Sequence, residues 1–185
     1  MSESSYKLRM MIITALFAAI IGILAQVTIP LPLVPITGQT LALGLAATIL
    51  GSKYGTISVI LYVIIGAIGV PVFSHMQAGL GVVFGPTGGF IIGFAPAAFV
   101  IGYYLEKTNF TILNAVIANV IGMLIALLFG TVWLKFIASL TWPAAFASGF
   151  APFIIVGLLK AFLAAWIGIV VRNRLASADL LYTRA

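Results

Sequence analysis

The amino-acid sequence predicts an all-α membrane protein: one domain, residues 1–185, folded as a compact bundle of six transmembrane helices with both termini cytoplasmic. Three observations lead there. The chain is 63% hydrophobic and only 6% charged, with a mean hydropathy of +1.28, whereas about a quarter of a soluble globule is charged. Its apolar runs approach the ~20 residues that a helix needs to cross the hydrocarbon core, and proline- and glycine-rich stretches separate them. Its basic residues, scattered singly between the apolar runs, fall almost all on alternate connections, the pattern that sets membrane orientation.

The first span is predicted from Met10 to Val27. Met1 to Arg9 followed by an apolar run imitates a secretory signal, but the run is long and no small-x-small cleavage site precedes a mature polar domain, so it is read as a retained helix. Span 1 ends before Ile29-Pro30-Leu31-Pro32-Leu33-Val34-Pro35. Proline lacks the amide donor and resists helix continuation. An extended, apolar loop follows, either a lid over a cavity or an ordinary connector.

Span 2, Gly38 to Leu50, is short for a full crossing, so it begins inside the membrane or includes part of the preceding loop. Gly51-Ser52-Lys53-Tyr54-Gly55 is predicted to be a tight turn, and span 3 runs from Thr56 to Val70. The connection Pro71 to Gly89, PVFSHMQAGLGVVFGPTGG, is glycine-rich and still apolar. Irregular backbone of this kind is tolerated at membrane depth only where protein or a cavity satisfies it, so it is expected to line a site. Span 4 covers Phe90 to Leu105 and stops at Glu106-Lys107. Span 5 covers Phe110 to Leu134 and contains Asn114 and Asn119. After Lys135, a loop with Trp142-Pro143 leads to span 6, Ala151 to Val171.

With the N-terminus inside, the inner faces hold Lys7, Arg9, Lys53, Lys107, Arg172, Arg174 and Arg184, and the outer faces hold only Lys135. Seven against one places both termini in the cytoplasm and both irregular loops outside. These residues are scattered singly between apolar runs, so the net charge of +6, set against Glu3, Glu106 and Asp179, encodes orientation and not a nucleic-acid surface. Asn109-Phe110-Thr111 matches a glycosylation acceptor, but its cytoplasmic placement discounts it.

Lys160 is the anomaly. At ~1.5 Å per residue it lies about 18 Å before Arg172, near mid-bilayer, where a lysine costs roughly 2.5–3.5 kcal/mol and faces a protein interior or wet cavity with a partner. It either meets an anionic or polar ligand, or snorkels along its stem to a nearer surface. Phe153, Val156, Gly157, Ala164 and Ile167 share its helix face. Gly157 and Ala164 leave space one turn to either side, for a ligand or for close helix packing.

Gln39, Thr37 and Thr40 cluster at the mouth of span 2, with Thr87 in the glycine-rich loop. They could orient a ligand in an apolar pocket, or Thr37 could cap the helix. Ala15-x-x-x-Ala19 and Ala18-x-x-x-Gly22 on span 1 have the small-residue spacing that lets helices approach closely, internally or against a partner.

Much chemistry is excluded. The chain has no cysteine, a single histidine, His75, and no paired carboxylates in its apolar runs, so no metal, thiol or glycosidase-like site is expected. Ser74 adjoins His75, but sequence neighbours rarely form a nucleophile and base, and no G-x-S-x-G motif is present. No Walker sequence G-x-x-x-x-G-K-[ST] occurs, so an ATP-driven cycle would need partner subunits.

Several segments carry a resemblance: Val34-Pro35-Ile36-Thr37-Gly38-Gln39-Thr40-Leu41, Leu61-Tyr62, Gly66-Ala67-Ile68-Gly69-Val70-Pro71-Val72-Phe73, and Gly85-Pro86-Thr87-Gly88-Gly89-Phe90 with Gly93-Phe94. The chain resembles the BioY family of biotin transporters through all six predicted spans. The resemblance implies a non-enzymatic, biotin-binding S-component of an energy-coupling factor (ECF) transporter in a prokaryotic cell membrane, surrounded by membrane lipid. It needs no cofactor, and two cytosolic ATPases drive it through a transmembrane coupling subunit. It places the coupling contact at Ala15 and Ala19 and the ligand lysine at Lys160. The chain departs from the family's pattern at Gly157, where that pattern has an acid that would pair with the lysine and accept hydrogen bonds from a ureido ring.

The expected site therefore comprises Lys160 and Gly157, polar contacts from Gln39 or Thr40, and apolar walls from Phe73, Phe84 and Phe90. Three rivals remain: a freestanding biotin facilitator, a small oligomeric channel using one lysine per subunit to select anions, and an intramembrane enzyme using Lys160 as base or nucleophile.

Overall fold

The structure is a computed structural model that describes residues 3–178 and 180–181. Arg184 and Asp179 of the charge tally lie outside the described residues. Helix α1 spans Glu3–Ala25, beginning well before Met10, because hydropathy marks the embedded part of a helix and not its polar first turns. The chain then forms a small ribbon in which Thr28–Ile29 (β1) pairs antiparallel with Ile36–Thr37 (β2), Thr28 opposite Thr37. The prolines occupy its loop, where no ladder amide is needed.

Helix α2 (Gln39–Ala67) consists of two abutting helical arms that meet at a kink in the expected turn. Gly51 has φ 79° and ψ −172°, a conformation open only to glycine. A methyl group at Gly55 would lie 2.7 Å from the Ala47 Cα, although eight residues along a straight helix would separate them by about 12 Å. Helix α2 is thus folded back on itself, with arms 39–50 and 52–67 corresponding to the second and third predicted spans.

A 3-10 turn at Ser74–Met76 and a short helix α3 (Leu80–Val83) interrupt the glycine-rich connection before α4 (Gly88–Lys107). Helix α5 (Ile112–Ile137) is N-capped by Thr111, which accepts from the Asn114 amide at 3.3 Å. The stretch containing Trp142-Pro143, expected as loop, is helix α6 (Trp142–Gly149), because Thr141 caps it and proline is accommodated in a first turn. Helix α7 (Ala151–Ser177) carries Lys160. Among the described residues, five helices are long and apolar enough to cross a membrane, α6 and α7 being taken together.

Helix α4 packs chiefly on α5 and α2, while α7 closes over α2 and α5 and α1 lies along α2. Small residues at the contacts, such as Ala42, Ala97, Ala118 and Ala165, are buried and let the backbones approach. In lipid this close packing, not expulsion of water, drives helix association.

Charges meet at one end of the bundle. The Glu106 carboxylate accepts from the Ser52 amide and hydroxyl, each at 2.7 Å, capping the second arm of α2. Arg172 donates to the Ile49 carbonyl at the end of the first arm and stacks 3.5 Å from the Phe110 ring centre. An anion at a helix start and a cation at a helix end both complement the helix dipole. The β-ribbon and the 3-10 turn lie at the opposite end.

Candidate ligand-binding site

A cavity of about 370 Å3 lies beneath the ribbon and the 72–88 connection, bounded below by α4, α5 and α7. This is within the ordinary size range of small-molecule sites. The proline-rich loop contributes Leu31, Leu33, Val34 and Pro35, so it is a wall and not a free connector. The glycine-rich connection contributes Ser74, His75, Gln77 and the Gly85 to Thr87 turn, as its composition predicts.

Lys160 reaches this cavity from α7. Its Nζ donates to the Thr37 carbonyl at 2.7 Å and lies 3.5 Å from Thr40 Oγ1, so it points across the bundle and does not snorkel outward. Among the described carboxylates, that of Glu106 is engaged with Ser52 at the opposite end. The ammonium therefore has neutral partners only, in a low-dielectric site where an oxygen from a ligand would be strongly attracted.

Next to it runs a buried polar chain. The Thr37 hydroxyl donates to Gln39 Oε1 at 2.7 Å, the Gln39 amide nitrogen donates to the Tyr62 hydroxyl, and the Gln39 backbone N–H reaches Thr37 Oγ1 at 3.4 Å. Thr37 thus orients Gln39, while the N-cap position of α2 is Gly38, which has no side-chain cap bond. Tyr62, which the sequence singled out only within the resemblance segment Leu61-Tyr62, links the two arms of α2 through this contact.

Phe73 and Phe90 line the cavity; Phe73 packs edge-on against Tyr62 at 5.6 Å, and Phe90 lies 5.9 Å from Phe153, ring centre to ring centre. Phe153 was placed on the Lys160 helix face by spacing, whereas Phe94 stood only in the resemblance segment Gly93-Phe94; both line the cavity. Phe84 is placed elsewhere, 62% exposed and outside the lining, because α3 turns its side chain away. Gly157 borders a separate gap of about 20 Å3 that also touches Thr40, Asn119, Met123 and Lys160. A side chain on Gly157 would run into Met123 Sδ, so a thioether fills the place where the family's pattern has an acid.

Asn119, one of the two asparagines of predicted span 5, donates to Thr48 Oγ1 at 2.9 Å and to the Ala115 carbonyl at 2.8 Å, joining α5 to α2. Asn114 donates to the Asn109 carbonyl at 3.1 Å. Neither is in the cavity lining.

The two small-residue pairs of α1 separate by face. Ala18 is buried and Gly22 packs on Val72, its added Cβ meeting Val72 Cβ at 3.2 Å. Ala15 and Ala19 face outward beside the exposed Met11, Ile12, Leu16 and Ile23.

A model described as the BioY family matches residues 1–177. The chain is 38% identical over 177 residues to Biotin transporter BioY2 of Lactococcus lactis subsp. cremoris, with 96% of this chain and 97% of that protein covered. It is 38% identical over 162 residues to Biotin transporter BioY of Thermotoga maritima, covering 88% and 95% respectively. Among solved structures it is similar to the S-component for biotin from an ECF-type ABC transporter, with a TM-score of 0.84, 29% identity, and coverage of 94% of this chain and 95% of that one. On the match over nearly its whole length, the chain belongs to the BioY family.

Proposed function

We propose that this protein is a high-affinity biotin-binding S-component, which captures biotin from outside a prokaryotic plasma membrane and delivers it inward with an ECF coupling module. The observation that carries this reading is the likeness, over 96% of the chain, to a protein named as a biotin transporter. Supporting it is the 370 Å3 cavity with an ammonium on its wall.

In this reading the chain crosses the membrane six times, the arms of α2 counting separately, with both termini cytoplasmic. The cavity then opens outward, and the Glu106 and Arg172 end faces the cytoplasm. Lys160 gives its ammonium to a ligand oxygen, Gln39 and Thr40 supply further polar contacts, and Phe73 and Phe90 form apolar walls. Gly157 stands one step back, through its gap beside Lys160.

The chain has no Walker sequence, so energy comes from two cytosolic ATPases acting through a transmembrane coupling subunit. Ala15 and Ala19 on the outward face of α1 form the contact with that subunit.

Equilibrium binding of biotin and other vitamins to the purified protein tests this. Tight, biotin-selective binding that is lost in a folded Lys160→Ala variant is the expected result. Unchanged biotin affinity in that variant would sink the site assignment, and binding of no vitamin would sink the function. Uptake by cells lacking every coupling subunit would favour a freestanding facilitator.

A further inference from the structure

Lys160 and Thr40 line two spaces at once, the ligand cavity and the gap of about 20 Å3 that Gly157 borders. Asn119 reaches the gap from α5 and does not touch the cavity. The rest of the gap's wall is apolar, with Leu43, Ile101, Met123 and Ala161 among its members. Three polar side chains therefore converge on one small, otherwise apolar space.

Each of the three has a hydrogen-bonding group left over. An ammonium has three N–H donors. That of Lys160 gives one to the Thr37 carbonyl at 2.7 Å and lies 3.5 Å from Thr40 Oγ1, so its third has no partner among the described residues. Thr40 meets the ammonium as an acceptor, which leaves its hydroxyl proton to be given elsewhere.

Asn119 supplies the missing acceptor. Its amide nitrogen donates to the Ala115 carbonyl at 2.8 Å and to Thr48 Oγ1 at 2.9 Å. A carbonyl can only accept, so the nitrogen must lie on that side, and both of its protons are used. Its Oδ1 accepts from no described residue, although Asn119 is only 4% exposed. Gly44, one turn along α2 from Thr40, makes room for this oxygen, since a Cβ there would run into it. A buried acceptor without a donor is costly, and so is an ammonium N–H without an acceptor.

We propose that the gap is a binding site for one water molecule held by Lys160, Thr40 and Asn119, and that Asn119 is thereby a positioning residue for the Lys160 ammonium. A buried water needs roughly 10–15 Å3 and about two to four polar partners; the gap offers about 20 Å3 and three such side chains. The water oxygen accepts from Lys160 and Thr40 and one of its protons goes to Asn119 Oδ1, so donors and acceptors balance. An anion would suit the ammonium but would face the Asn119 oxygen across the same small space. With one N–H tied to the water, the ammonium keeps a fixed partner while another turns from the Thr37 carbonyl to a ligand oxygen. The effect on ligand affinity rests on the biotin reading above, whereas the water site does not.

Crystals of the purified, ligand-free protein, diffracting well enough to order internal waters and soaked in bromide, test the site directly. One peak without anomalous signal, within hydrogen-bond reach of Lys160, Thr40 and Asn119, is the expected result. A gap without density, or one holding bromide, overturns the proposal. Asn119→Leu keeps the side chain's size but offers no acceptor; it should lose the water and weaken biotin binding by about threefold to tenfold, the worth of one hydrogen bond. Thr48→Val removes the other side-chain partner of Asn119 without touching the gap, and should keep both the water and the affinity, whatever it does to the melting temperature. Equal loss of affinity in Thr48→Val, or full affinity in Asn119→Leu, would mean that Asn119 only braces α5 against α2. If Asn119→Leu does not fold, Thr40→Val should likewise lose the water, and its persistence there counts against the site. Failure of the parent to bind biotin refutes the biotin reading, and the density in the gap then decides the water site by itself.

Discussion

Lys160 Nζ donates to the Thr37 carbonyl at 2.7 Å, joining the last helix to the ribbon that roofs the cavity. The two residues stand 123 positions apart. One bond therefore couples the charged wall of the site to its cover.

Replacing Lys160 with alanine should weaken biotin binding by roughly thirtyfold or more, corresponding to about 2–5 kcal/mol for truncating a buried charged partner. Ligand-free stability should hold or rise, since a membrane-buried ammonium is costly. Titration calorimetry together with a thermal melt in detergent reads both quantities.

The Gln39 and Tyr62 contact bridges the two arms of α2 inside the core. Tyr62→Phe leaves the Gln39 amide without its partner and should cost about 1–3 kcal/mol. In a double-mutant cycle with Gln39→Leu the losses should be less than additive. Additive losses would show that the two side chains act independently.

Gly51→Ala should lower the melting temperature through about 1–3 kcal/mol of backbone strain at φ 79°. Its added Cβ would also press on the Glu106 carboxylate that caps Ser52. Glu106→Ala should cost on the order of 1 kcal/mol, as lost caps do. A melt as high as the parent's in both variants would remove the bend from the list of structural determinants.

Gly157→Asp should weaken binding on its own, because Met123 occupies the space the new side chain needs. Adding Met123→Ala should restore part of the loss. If the single variant already binds as well as the parent, Met123 is freely displaced.

On α1, Ala15→Leu with Ala19→Leu should abolish coupled uptake and spare biotin binding, because both positions face outward. Ala18→Leu should instead damage the fold, since that residue is 3% exposed. Uptake assays beside binding assays separate the two faces.

Composition and charge order by themselves determined a helical membrane protein, its irregular connections and the anomaly at Lys160, because transfer into lipid depends on each segment's own residues. The split between Ala15-x-x-x-Ala19 and Ala18-x-x-x-Gly22 was not legible there; both have the same spacing, and only the direction in which α1 packs assigns one inward and one outward. The position of Phe84 was equally hidden, because the four-residue helix α3 sets it. Tyr62 and Met123 act through partners 23 and 34 positions away. Contacts across such separations are created by the folding back of α2 at Gly51 and the closing of α7 over the bundle, and only the tertiary structure decides them.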